Sequence, residues 1–369
     1  MSVPMLSRSL PKTVRCVSRL LTASTESPTS THILIVHEGF PKTEFYAKKA
    51  LSQEAVNFYN LPRSFEWELP KWLIPSKVSK CIEEYGRHGD VQETIMKPLA
   101  SQLASSLHKV MPELESVEVS CASPFEEPTI QSTIGQILRK GTSRLIILPL
   151  QPHFACMRSG LLLHEAIRCI EKETLPSSEG KSIRVLTGSP YRTQVSAIER
   201  WSTHPVITNL WSSRLEKEFP SFEAVLFVAP VLRGLGKRDY ETSVFASAER
   251  TVSETRVPLP WKVAFFNGWN QWDLPICESI SMQLRHLKGR KVAVVPISSV
   301  APSLDTISIL PSILSWHPNT SLLAPQVNSI LVQGLTETIK NHLLGRKSGQ
   351  LQLDCCWRSD CRKTREMLC

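Results

Sequence analysis

The sequence predicts an α/β fold built as two Rossmann-like halves, each a parallel sheet covered by helices. Three observations predict it. Short apolar, β-branched runs recur along the chain, longer amphipathic helical patterns separate them, and 369 residues give room for two sheets better than for one. The candidate strands, in order, are Ile33–Val36, Val117–Cys121, Leu145–Leu148, Ile183–Leu186, Val225–Val228, Lys262–Phe266 and Val292–Val295. Between them Leu99, Leu103, Leu107 and Val110 mark one helix face, and Ile130, Ile134, Ile137 and Leu138 mark another. Strand–helix alternation of this kind argues for parallel pairing. The break between the sheets is expected near residues 187–200. The chain therefore divides into a leader (1–30), a first half (31–190), a second half (191–345) and a tail (346–369).

Composition narrows the function classes. The chain is 41% hydrophobic and 21% charged, with a formal net charge of +9. No apolar run reaches the roughly 18 residues that a membrane span requires. The charge sits mostly at the two ends. Arg8, Lys12, Arg15 and Arg19 stand against Glu26 in the leader, and six Lys/Arg stand against three acids in the tail. The body carries only about +3, with no basic run interleaved with aromatics, so no nucleic-acid partner is expected.

A leader that is basic, Ser/Thr-rich and free of acid before Glu26 has the composition of a mitochondrial transit peptide; a disordered terminus is the alternative. Arg15 and Arg19 break any secretory apolar core. The ten cysteines are irregularly spread, and four crowd the last fifteen residues. Their spacing does not describe a disulfide scaffold, and a metal or iron–sulfur role for the terminal group competes with a tail of leftover cysteines. There is no G-x-S-x-G and no P-loop. His153 and His204 read as polar core or surface histidines before they read as metal ligands.

In doubly wound folds ligands sit beyond the carboxyl ends of the strands, which directs attention to the loops after Val36, Leu148, Val228 and Val295. Those loops carry a family resemblance. Val295–Leu310 (VPISSVAPSLDTISIL) resembles, without a gap, the strand-to-helix segment of ferrochelatases, the enzymes that insert ferrous iron into protoporphyrin. Ile33–Pro41 (ILIVHEGFP), Ile82–Gly89 (IEEYGRHG), Leu148–Gly160 (LPLQPHFACMRSG) and Ile198–His204 (IERWSTH) are similar to other segments of that family in the same order. The resemblance covers roughly residues 31–345. It implies a cleft between the halves that holds the macrocycle.

The resemblance also locates departures from the family. Metal insertion needs a base with a pKa near the working pH to take the pyrrole protons, which points to His. The family's His positions correspond here to Pro230 and Ser303, and its assisting Glu corresponds to Asp305, one methylene shorter. Porphyrin-facing positions implied by the alignment are His37, Glu38, Trp272, Pro230, Ser299 and Ser303. Glu38 reads either as a substitute acid or as a solvated loop residue. Ser120 stands where the family has an Arg that meets a propionate.

The family's animal and fungal members hold a [2Fe–2S] cluster through three tail cysteines and one in the loop after the third strand. Cys156, Cys356 and Cys361 fit that arrangement, whereas Cys355 stands next to Cys356 and departs from the family spacing. The reading that follows is a ferrochelatase-like protein of haem-biosynthetic ancestry with lost or strongly reduced iron insertion, which still binds protoporphyrin, haem or another tetrapyrrole. The rival is an active enzyme using Asp305, Glu38 or His37 as substitute proton acceptors. A third reading is a scaffold that partners an active chelatase. The resemblance further implies a mitochondrial matrix location peripheral to the inner membrane, and either a homodimer or a partner of haem-pathway proteins.

Overall fold

The computed structural model describes residues 30–59, 82–83, 86–87, 89–114, 116–156, 158–174, 193–232, 236–256, 258–267, 279–287 and 289–345. Two four-stranded sheets organise them. The first holds β1 (Ser30–Val36), β2 (Ser116–Ala122), β3 (Arg144–Pro149) and β4 (Gln194–Ala197) in the order β2-β1-β3-β4. The second holds β5 (Ala224–Pro230), β6 (Trp261–Phe266), β7 (Val292–Pro296) and β8 (Thr320–Leu322) in the order β6-β5-β7-β8. Every pairing is parallel, and the two halves share one strand order.

The described helices of the first half are α1 (Glu44–Tyr59), α2 (Lys97–Val110), α3 (Ile130–Arg139) and α4 (Ser159–Thr174). Those of the second are α5 (Pro205–Glu218), α6 (Lys237–Glu254), α7 (Ile280–His286), α8 (Leu310–Leu314) and α9 (Ser329–Leu343). A π-helical turn leads into α2 (Gln92–Met96) and another into α8 (Asp305–Ile309). Such turns widen a helix by one residue and recur at functional sites.

Burial explains why the central strands were legible. All seven residues of β5 and six of seven in β1 are buried, because helices cover both sheet faces. The edge strands β4 and β8 are short and partly exposed, and their sequences Gln-Val-Ser-Ala and Thr-Ser-Leu give no apolar run to detect. The expected strand Ile183–Leu186 lies outside the described residues.

The expected faces were right with one exception. Ile130, Ile134, Ile137 and Leu138 of α3 pack with Leu34 and Val36 of β1 and with α4. Leu99, Leu103 and Leu107 of α2 are buried, but Val110 is 42% exposed. The buried stripe advances by four residues to Met111, which leaves Val110 turned about 100° away from it. Side chains supply the missing first-turn acceptors. Thr129 caps α3 by accepting from Ser132 N, Asn328 caps α9 from Leu331 N, and His204 caps α5 from Val206 N.

One apolar core runs through both halves, from Ile33 and Ile146 through Trp201 and Trp211 to Phe227 and Leu335. Trp201 Nε1 donates to Pro149 O at 3.0 Å, and Thr336 Oγ1 of α9 donates to Ser106 Oγ of α2 at 2.9 Å. These contacts fix how the halves face each other.

Where α9 meets α5, a Cβ on Gly334 would lie 2.2 Å from Val206 Cγ2. Gly334→Ala should therefore destabilise the protein by about 1–3 kcal/mol, the cost of overpacking, despite the higher helix propensity of Ala. Chemical unfolding measures this, and adding Val206→Ala should recover part of the loss. A stabilised single variant would show that the close approach is not maintained in solution.

Candidate functional site

The chain reverses its direction of sheet growth between β1 and β3 and again between β5 and β7, which opens a crevice beyond their carboxyl ends. The loops after β1, β3 and β7 close on one another there. After β1, Gly39 takes a φ of +74°, and a Cβ on it would stand 2.1 Å from Ser123 Oγ. Only glycine lets this loop lie against the segment after β2. The next amide, Phe40 N, donates to Glu126 Oε1 at 3.1 Å.

Arg158, from the loop after β3, lies at the centre. Its Nη1 donates to Asp305 Oδ2 at 2.5 Å and to Glu38 Oε1 at 3.0 Å. Its Nη2 is 3.4 Å from Asp305 Oδ1, which gives the Asp305 pair a lopsided bidentate geometry. The side chains are only 12% (Arg158), 18% (Glu38) and 3% (Asp305) exposed. Gln151 also hydrogen-bonds Glu38. Burial holds the Glu38 carboxyl above its ordinary range, against the pull of Arg158, and the charge of Asp305 adds to the rise. Just behind, the Tyr240 phenol is raised by burial and hydrogen-bonds Ser298.

A second buried group sits beside the first. Gln92 Nε2 donates to Cys121 O, so its Oε1 accepts from His37 Nε2 at 3.0 Å. That leaves His37 Nδ1 as a lone pair, 4.0 Å from Glu126 Oε1 and without a protein hydrogen-bond partner. Burial lowers His37 to about 4 and raises Glu126 to about 7. Two acceptors facing each other at that separation suit a protonated Glu126 better than a carboxylate. Ser303 Oγ, Glu126 Oε2 and Gln151 Oε1 are likewise buried with no protein partner. Ser303 itself is fixed by its backbone, since Ser303 N donates to Thr306 Oγ1 at 2.9 Å.

Apolar packing seals the rim. Phe40, Ala47, Ala50 and Leu51 of the first half cluster with Leu304 and Ile307 of the second. What remains between His37, Glu38, Gln151, Ser299, Pro302 and Ser303 is a cavity of about 20 Å³, room for a water molecule or two. A cavity of about 60 Å³ lies on the other side of Tyr240, lined by Phe154, Cys156, Arg200 and Asp239.

The expected site residues therefore divide. His37, Glu38, Ser299, Ser303 and Asp305 converge on the cleft. Pro230 ends β5 as a buried residue and does not line the remaining cavity. Glu38, read either as a substitute acid or as a solvated loop residue, lines the cavity, mostly buried and ion-paired to Arg158. His153 is a core histidine, 2.9 Å from Ser247 Oγ and lowered to about 3 by burial. Trp272, Cys355, Cys356 and Cys361 lie outside the described residues. Cys156 is half-buried, while Cys121 and Cys169 are buried in the apolar cores. The described residues thus supply one of the four thiolates that a [2Fe–2S] cluster takes, and they contain no group of three His, Cys, Asp or Glu side chains placed to hold a metal.

Sequence reasoning missed Arg158, Gln151, Gln92 and Glu126. Arg158 had a signal, being the one Lys, Arg, Asp or Glu between Arg144 and Glu165.

A family model described as Ferrochelatase matches residues 33–310. The ferrochelatase of Synechococcus sp. (strain RCC307) is 24% identical, over 64% of this chain and 60% of its own. The mitochondrial ferrochelatase of Drosophila melanogaster is 19% identical, over 80% of each chain. That of Bos taurus is 21% identical, over 91% of this chain and 83% of its own. Among solved structures, SirB from Bacillus subtilis with Fe3+ covers 85% of this chain and 95% of its own, at 11% identity and a TM-score of 0.46. Among the described residues no helix is long and apolar enough to cross a membrane.

The buried Glu126 makes a pH-dependent prediction. A carboxyl raised from 4.5 to about 7 favours the folded state below pH 4.5, and that contribution is lost as pH rises through 7. His37, lowered to about 4, acts in the opposite sense and costs stability below about 6.5. Glu126→Gln keeps the acceptor for Phe40 N and removes only the first effect. Its stability relative to wild type should be near zero at about pH 4 and rise by roughly 3 kcal/mol by pH 8. A difference that does not change with pH, measured by chemical unfolding, would refute this assignment.

Proposed function

The chain belongs to the ferrochelatase family, and from that premise we propose that it is a divergent member that has lost insertion of ferrous iron into protoporphyrin. The observation that carries this reading is the engagement of Asp305, the remaining acid of the family's catalytic segment, by Arg158 in the centre of the cleft.

Insertion requires a held macrocycle, the departure of two pyrrole N–H protons, and a path for the dication. Each requirement is compromised. Sites for ligands of this size span roughly 300–1,000 Å³, whereas the pocket that the described residues form beside Glu38 and Ser303 is about 20 Å³. The proton acceptor is missing, because Pro230 has no side-chain lone pair and Ser303 is far too weak a base. Asp305 and Glu38 face a guanidinium, which repels an incoming cation. Burial further weakens His37 as a substitute base by lowering its proton affinity. Losing one positioned base typically costs about 10²–10⁴-fold, and here the acid that remains is held by Arg158.

A tetrapyrrole remains the expected ligand class, admitted only when the rim between α1 and the Leu304–Ile307 turn opens. The basic leader and the mitochondrial relatives support a mitochondrial location, and the ancestry supports a place beside other haem-pathway proteins.

The test mixes the full chain with protoporphyrin and then with ferrous iron or zinc, while the Soret and Q bands are followed. We expect no conversion beyond the uncatalysed rate; many turnovers would overturn the reading. A Soret shift without conversion identifies tetrapyrrole binding. Pro230→His with Ser303→His should stay inactive while Arg158 is in place, because restored bases do not reopen the cleft.

A further inference from the structure

Glu38 and Asp305 reach the cleft from opposite halves and share one guanidinium. Among the described residues, two carboxylates stand around a single positive charge, one negative charge from balance. A divalent cation between them would balance both.

The surrounding wall adds an independent sign. Ser303 Oγ and Gln151 Oε1 are buried without a protein hydrogen-bond partner, and both residues line the cavity that Glu38 lines. Ser303 is 8% exposed, so bulk water does not reach its hydroxyl freely. Orphaned buried oxygens are rare in folded proteins and call for an explanation. Carboxylate, amide and hydroxyl oxygens together form a donor set that suits hard or borderline divalent ions.

We propose that Arg158 is a built-in plug: its guanidinium occupies the position of a divalent cation between Glu38 and Asp305, bridging the halves and hiding a latent metal site. Ser303 and Gln151 are the uncharged oxygens of that site. The proposal rests on the family reading of the cleft but not on the loss of turnover, because it concerns the cation position with no tetrapyrrole present.

The experiment titrates the full chain with Co2+ alone, whose visible absorption reports the ligands, and checks occupancy by Zn2+ competition. Wild type should take up no Co2+ in the micromolar range. Arg158→Met, of similar length and uncharged, should bind one equivalent at least 100-fold more tightly than wild type. That gain should vanish in Arg158→Met/Asp305→Asn. Arg158→Lys retains a cation and should behave as wild type does.

Since Arg158→Met leaves two acids facing each other, its thermal unfolding is followed with and without Co2+. Co2+ should raise the melting temperature of Arg158→Met and leave that of wild type unchanged. The proposal is overturned if Arg158→Met binds no better than wild type, if binding survives Asp305→Asn, or if Co2+ fails to stabilise the variant. Iron insertion by the wild-type protein would sink the proposed loss of turnover and leave these outcomes unaffected.

Discussion

The Arg158 guanidinium, held between Asp305 and Glu38, is the interaction on which the state of the cleft depends. It ties the loop after β3 to the turn after β7, 147 residues apart in sequence. Taking charges out of water costs several kcal/mol per ion, so a buried pair adds little stability over a well-packed apolar replacement. Removing one partner is another matter, and typically costs 3–5 kcal/mol because the other charge is left stranded. The bridge is therefore better understood as a specificity device. It joins loops of two halves that the shared core around Trp201 and Trp211 already holds together.

The departures in the cleft support one another physically. An open cavity would expose the Glu38–Arg158–Asp305 group to water and weaken it. The Phe40–Leu304 cluster packs beside it, and the ion group is mostly shielded from water. Ser303, Gln151, His37 and Glu126 are left with imperfectly satisfied polar atoms.

Much of this could be read in the chain and some could not. The four central strands announced themselves because both faces of each sheet are covered, which forces apolar β-branched runs such as Ile33–Val36 and Val292–Val295; the edge strands β2 and β6 were found from their own valines and aromatics. Edge strands β4 and β8 made no such demand. The four loops were found from the strand ends alone, and His37, Glu38, Ser299, Ser303 and Asp305 do converge. Arg158 could not be assigned a partner, because its pairing depends on how the β3 and β7 loops meet across the halves. Its isolation in an apolar stretch marked it as unusual without saying what it touched. Glu126 and Gln92 were invisible for a similar reason: they acquire a role only when Gly39 lets the first loop rest on Ser123.

A double-mutant cycle between Arg158 and Asp305 tests the central claim most directly. Unfolding free energies of wild type, Arg158→Met, Asp305→Asn and the double variant give the coupling between the two side chains without reference to any ligand. A bridge that holds the cleft shut predicts a coupling of about 2 kcal/mol or more, in the range measured for close, desolvated charge pairs. A coupling below about 0.5 kcal/mol, as for exposed surface pairs, would contradict it and return the cleft to an open, solvated state.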